Sequence, residues 1–152
     1  MTVETLLKRK GQGVVTIEAG TPVGAAIRVM RQRNVGALVV SRNGRDIEGL
    51  VREHDLIRAL KSHGVGRLMP MTVADIMCRS VATCRPEEDL RRVMTRMSAR
   101  RTQHMPVVDN RGLCGIVSLG EIIEHRLGEA EQDAAAVCEA ARIPGMRFQN
   151  LS

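Results

Sequence analysis

Gly49-Leu50-Val51-Arg52-Glu53-His54-Asp55 and Gly115-Ile116-Val117-Ser118-Leu119-Gly120-Glu121 follow one design: a glycine, an aliphatic strand end, a polar turn residue and, three positions on, an acid. The second copy stands 66 positions after the first. Upstream, Leu38-Val39-Val40 is answered by Pro106-Val107-Val108 at an offset of 68. Further back, Val14 to Ile17, Thr21-Pro22-Val23, Ile27 and Met30 are answered at 67 by Val81 to Cys84, Glu88-Asp89-Leu90, Met94 and Met97. Two small indels therefore align about 45 residues twice, as expected of half-domains too small to bury enough apolar surface alone.

A chain of 152 residues supports one sizeable core rather than two, so the repeats are expected to share one globule. Trp and Tyr are absent and Phe148 is the single aromatic residue, which leaves no stacking platform for single-stranded nucleic acid. Any base held here must lie between aliphatic walls. The net charge of +6 invites an anionic partner without choosing among nucleic acid, membrane surface and nucleotide phosphate. Four cysteines (Cys78, Cys84, Cys114, Cys138) without a CxxC pair, and no secretory segment, point to reduced thiols in the cytoplasm and to no metal site. Glu121 and His125 share a helical face, but no third ligand accompanies them. No run of about 18 apolar residues occurs, so a soluble chain away from the membrane is expected.

The periodicity predicts a short helix over residues 2–10, a strand over 14–17, and a helix capped by Thr21 with Pro22 at its first position and Val23, Ala26, Ile27 and Met30 inward. A strand over 37–40, a turn at Asn43-Gly44, a strand over 47–51 and a helix over 54–60 complete repeat one. Glycine and proline breaks at Gly64, Gly66 and Pro70, then a helical stretch over 73–77, mark the link. Repeat two has the same strand-helix-strand-strand-helix order, with Leu90, Val93, Met94 and Met97 inward and a hairpin turn over 109–112. Arg92, Arg96 and Arg100 form a stripe read as a solvated helix face. An Ala- and Glu-rich stretch from Glu129 to Arg142 predicts a helical tail stopped at Pro144-Gly145, with a frayed end. The expected divisions are 1–13 (lead helix), 14–66 (repeat one), 67–80 (linker), 81–127 (repeat two) and 128–152 (tail). The fold class is α/β, two pseudo-symmetric repeats packed as one globule.

This doubled pattern, with its HMPVVD-type strand and GIVSxxE-type turn, resembles a tandem pair of cystathionine β-synthase (CBS) domains, a Bateman module, over residues 14–127. The likeness is to small stand-alone bacterial CBS pairs with a short lead helix and a charged trailing helix. It implies a flat homodimer and clefts between repeats that bind AMP, ADP, ATP, NADH or S-adenosylmethionine. The chemistry suits the motif. A strand turning at glycine into a helix presents N–H groups and the positive dipole end to an anion. A hydroxyl at the turn donates to phosphate, and a carboxylate one turn later accepts from ribose hydroxyls. Carried over, Ser118 is the hydroxyl and Asp55 the ribose acid, beside the glycines Gly49 and Gly115. Thr16 and Thr83 match the first-strand threonine, Ala37, Met105 and Pro106 lie on base-lining strands, and His54 and His104 border the clefts. Arg52 replaces the hydroxyl in repeat one and Glu121 the aspartate in repeat two, so the two clefts are expected to be unequal.

The leading expectation is a regulatory module that senses an adenosyl nucleotide, requires no cofactor, has no catalytic residues, and passes occupancy to a partner protein or to its own dimer interface. Ile57, Leu60, Ile122 and Ile123 are the apolar residues expected to need covering by a second copy. A nucleic-acid-binding basic protein is the alternative. Inosine monophosphate dehydrogenases also carry CBS pairs, yet a catalytic barrel of about 250 residues does not fit this length, so that label would describe a CBS fragment only.

Overall fold

The computed structural model describes residues 1–11 and 13–141. Helix α1 (Val3–Lys10) starts at Thr2, whose hydroxyl accepts from the Thr5 amide. Strand β1 (Thr16–Ile17) leads into α2 (Val23–Arg33), then β2 (Ala37–Val40), β3 (Gly49–Arg52) and α3 (Glu53–Leu68). A single turn, α4 (Val73–Ile76), precedes α5 (Leu90–Arg100), β4 (His104–Asp109), β5 (Gly112–Ser118) and α6 (Leu119–Ala141). β1 runs parallel to β2, and β2 pairs antiparallel with β3 with Leu38 opposite Val51. β4 and β5 form an antiparallel hairpin with a bulge between Val107 and Val108.

The boundaries differ from the sequence expectation where backbone partners decide them. Pro22, extended at φ −61 and ψ 142, is the cap of α2, which therefore starts one residue later than expected. α3 does not end at Leu60 but continues to Leu68 across a kink at Gly64, whose φ of 77 only glycine adopts cheaply. The strand expected over 81–84 shrinks to one bridge, Cys84 to Val107. Its preceding carbonyl, on Thr83, is taken instead by Arg96 Nη1 at 2.7 Å. Arg96 also pairs with Glu88, so the central arginine of the expected solvated stripe is a half-buried anchor, while Arg92 and Arg100 are exposed. α6 is one helix through Ala141; the expected stop at Pro144-Gly145 and the frayed end lie outside the described residues.

Each lead-in segment docks on the other repeat. Val3 and Leu6 of α1 enter the core of repeat two with Leu90, Val93, Met97, Met105, Val107, Val117 and Ile122. The Val3 amide donates to the Glu88 carbonyl at 3.0 Å, and Thr2 bridges Asp89. In repeat one, Val73 of α4 enters the core with Ala26, Met30, Leu38, Val40 and Val51. There the Val73 amide donates to the Thr21 carbonyl at 2.8 Å, and Thr72 bridges Pro22. The duplication thus includes Met1-Thr2-Val3 and Met71-Thr72-Val73, a repeated triplet that the sequence alignment above stops short of.

The two sheets meet through Ala37, Val39 and Leu50 with Val14, Ile47, Val81, Leu113 and Ile116, which joins the repeats into one body. Gly112, at φ 109, lets Arg45 of repeat one approach so closely that a Cβ would sit 2.8 Å from its carbonyl oxygen. The Leu113 amide donates to that same carbonyl at 2.9 Å. Ile122 is fully buried in repeat two, against the expectation that it needs outside cover, whereas Ile57, Leu60, Ile123 and Leu127 are exposed.

Candidate functional site

Two clefts open at the seam between the repeats, and the internal symmetry exchanges them. One, of about 310 Å³, is lined by Val14, Val15, Ala37 and Ile116 on its apolar side and by Lys10, Ser118, Glu121 and His104 on its polar side. Its mate, of about 250 Å³, is lined by Val81, Ala82, Leu50, Arg52, Thr102 and His104. Positions correspond: Val14 and Val15 with Val81 and Ala82, Ile116 with Leu50, and Ser118 with Arg52.

In the first cleft the turn from β5 into α6 places Ser118 so that its Oγ accepts from the Glu121 amide at 3.1 Å and donates to Glu121 Oε1 at 3.0 Å. Lys10, in the last turn of α1, reaches over from the other side. Its Nζ lies 2.8 Å from Glu121 Oε2 and donates to the Ile116 carbonyl at 2.6 Å. The Glu121 side chain is about one-third exposed, although its Oε2 is covered and its Oε1 accepts from both Ser118 and Lys10. A hydroxyl, an acid and an ammonium therefore meet beside an aliphatic wall, the donor and acceptor types that a sugar phosphate needs.

In the mate cleft the equivalent acid, Asp55, is only 5% exposed at its side chain. Arg52 lies over it in a fork, Nε to Oδ2 at 2.9 Å and Nη2 to Oδ1 at 3.0 Å. The Arg52 amide also donates to Oδ2, capping α3, and Nη1 extends to Thr102 Oγ1 of repeat two at 3.4 Å. The hydrogen bond to Asp55 raises the Arg52 pKa further, against the opposing effect of burial.

A third and larger opening, of about 630 Å³, joins these clefts between the N-terminus of α3 and the C-terminus of α5. Arg52, Arg58, Arg100, Arg101, His54 and His104 line it, with Glu53 its one acid. Arg58 Nη2 donates to His54 Nε2 at 2.7 Å. His104 borders all three openings. Its ring packs on Gly36, where a Cβ would stand 3.1 Å from Nε2. Burial lowers its pKa below the ordinary 6.5, which favours the neutral ring.

Of the residues singled out by sequence, the structure gathers Ala37, His104, Ser118 and Glu121 in one cleft and Arg52 and His104 in the other, with His54 at the larger opening. Asp55 lies beneath Arg52. Gly115 borders a separate opening beside Leu7. Thr16, Gly49, Thr83, Met105 and Pro106 line none of these openings; Met105 is fully buried in the core of repeat two. Lys10 and Thr102 were missed. Thr102 is legible as the repeat partner of Val35, but nothing local in the sequence brings Lys10 to Glu121. Among the described residues no group of three or more His, Cys, Asp or Glu gathers to hold a metal, and no helix is long and apolar enough to cross a membrane.

The sequence pattern of the CBS domain matches residues 10–62 and again 73–128. The chain belongs to the CBS-domain family. It is 32% identical over 139 residues to the CBS domain-containing protein CBSX3, mitochondrial, of Arabidopsis thaliana, covering 82% of this chain and 66% of that one. A crystal structure of a CBS-domain-containing protein from Agrobacterium tumefaciens superposes with a TM-score of 0.78 at 31% identity, over 83% of this chain and 99% of that one. At 23% identity and a TM-score of 0.75 the fold is also that of the CBS domain pair of protein MJ0100, solved with 5′-methylthioadenosine and S-adenosyl-L-methionine, over 85% and 98% of the two chains. An inosine-5′-monophosphate dehydrogenase of Methanocaldococcus jannaschii shares 26% identity over 114 residues, but these are 74% of this CBS chain and only 22% of that enzyme.

Proposed function

We propose that this CBS pair is a non-catalytic regulatory module that binds an adenosyl nucleotide in the cleft of Ser118 and Glu121. The observation that carries the reading is the pairing of an acid, a turn hydroxyl and Lys10 with an aliphatic wall of Val14, Val15 and Ala37 in one cleft. The base lies against that wall, the ribose hydroxyls donate to Glu121, and Lys10 turns from Glu121 to the phosphate. The arginines of the larger opening extend the positive field, which favours AMP, ADP, ATP or NADH over the cationic S-adenosylmethionine. MJ0100, with its two adenosyl ligands, supports the ligand class.

Occupancy would be relayed to a protein partner or through a homodimer, in the cytoplasm. A hexameric CBS-CP12 protein from bloom-forming cyanobacteria, 25% identical, supports assembly as the means of relay. Single-stranded nucleic acid is disfavoured because no aromatic platform accompanies the arginines of the larger opening. Isothermal titration with AMP, ADP, ATP, NADH and S-adenosylmethionine tests the reading, with an external-dye thermal shift alongside, since the chain has no Trp or Tyr. At least one phosphorylated member should bind at micromolar to millimolar affinity, about −8 to −4 kcal/mol. No heat and no shift with any of the five overturns it.

A further inference from the structure

Resting on that reading, we infer that Arg52 is a built-in plug that closes one of the two symmetry-related clefts, so that each chain takes up one nucleotide and not two. At the position where the open cleft has the small Ser118, the mate cleft has a guanidinium whose three nitrogens are all engaged within the cleft. Two of them hold both oxygens of Asp55, the acid that matches Glu121 and on which a ribose would have to rest. The third spans to Thr102 on the far repeat; about 250 Å³ of cleft remains beside the guanidinium, but the acid is covered and its acceptor sites are taken.

The two acids differ accordingly. Glu121 is held by Lys10, which comes from another element, and by the Ser118 hydroxyl, and its side chain stays about one-third exposed. Asp55 is held by its own turn, forked and almost fully buried. A ribose there would replace one ammonium and one hydroxyl, each a single-point contact. Displacing Arg52 breaks a bidentate pair, a cross-repeat hydrogen bond and the packing of a planar group at once. Arg52 is thus a specificity-determining residue for stoichiometry, and it fastens repeat one to repeat two whether or not the open cleft is filled.

Titration of wild type and the Arg52→Ser and Arg52→Gln variants with AMP and ATP tests this, after circular dichroism has shown which variants fold. The expected result is one site per chain in wild type and two in the variants. The new site should be lost again when Asp55→Ala is added to either one. Two equivalent wild-type sites, or variants that fold and still bind one, overturn the plug and leave the nucleotide reading intact. Absence of binding by wild type and both variants overturns that reading and the plug together. Should neither variant fold, Ser118→Arg transfers the device: loss of all AMP and ATP binding in a folded Ser118→Arg protein is expected, and retained binding at one site overturns the inference.

Discussion

Ser118 and Arg52 occupy matching positions, yet the acid beside Ser118 keeps a third of its side chain exposed and the acid beneath Arg52 only 5%, so substitutions at the paired acids should read out differently. Glu121→Ala removes a charged acceptor from the open cleft and should weaken nucleotide binding by about 1.5–3 kcal/mol, while Ser118→Ala removes a neutral hydroxyl at about 0.5–1.5 kcal/mol. Asp55→Ala should leave nucleotide affinity within about twofold, a change of roughly 0.4 kcal/mol, and instead lower stability by about 3–5 kcal/mol by stranding the half-buried Arg52. Calorimetry and urea denaturation on the three variants separate these outcomes, and loss of binding in Asp55→Ala contradicts the assignment. His104 gives a pH signature of its own. Burial holds its pKa below 6.5, although Glu53 and Glu121 pull it up; Arg52 and Lys10 push it down. The unfolded chain therefore takes up this proton first, and stability should fall as pH drops below about 6.5, with no such loss above it. Glu88, lowered chiefly by its hydrogen bond from Arg96, acts only under the ordinary carboxylate range and so in a separate window. Thermal melts between pH 7.5 and 5.0 should show the decline in wild type and a flatter profile in His104→Gln. Equal slopes refute the role.

Among the elements, α1 is where the sequence was least informative and the structure most so. Its eight residues read as a brief amphipathic lead-in, and only the Met-Thr-Val triplet shared with residues 71–73 betrays that it belongs to the repeat. The crossing of each lead-in segment to the opposite repeat depends on long-range backbone bonds that local periodicity does not report. By contrast, the inward faces of α2 and α5 were legible. Val23, Ala26 and Met30, and Leu90, Val93 and Met97, are buried as their spacing requires, with Ile27 and Met94 partly covered beside them. The 81–84 strand was misread because its apolar β-branched start looks like that of 14–17. What differs is Arg96, which removes the Thr83 carbonyl from the ladder. The site shows the same division: Ser118, Glu121, Arg52 and Asp55 follow from the repeat, while the Lys10 contact spans 111 positions. Because α1 carries both Leu6 in the core and Lys10 at the cleft, Leu6→Ala should do two things. It should cost about 2–5 kcal/mol in urea denaturation, and it should also weaken nucleotide binding although Leu6 touches no cleft. Destabilisation with unchanged affinity would show that Lys10 finds the cleft without its helix.

At the level of the whole molecule, the exposed large apolar residues other than Met1 and Val65 fall in two pairs. Ile57 and Leu60 lie one turn apart on α3, and Ile123 and Leu127 lie one turn apart on α6, the helices that follow the two matching turns of the repeats. Internal symmetry thus presents two related apolar faces, and a second copy related by a twofold axis would cover them together. Both helices carry the acids of the clefts, Asp55 and Glu121, in their first turn, so an interface built on them would sense any movement of a turn when its cleft fills. Size-exclusion chromatography with light scattering at tens of micromolar protein should return twice the mass of the 152-residue chain. Ile57→Asp combined with Ile123→Asp sets two charges into that interface and should raise the dissociation constant at least about a hundredfold, roughly 2.7 kcal/mol, giving a folded monomer with its far-UV spectrum unchanged. A wild-type monomer, or a doubly charged variant that stays dimeric, would place the assembly surface elsewhere. If the dimer forms as expected, nucleotide added to wild type should shift its dissociation constant, and each site of the dimer should bind nucleotide with an affinity changed from that of the charged monomer by the square root of that factor, since coupling between two equilibria is reciprocal and two sites fill per dimer.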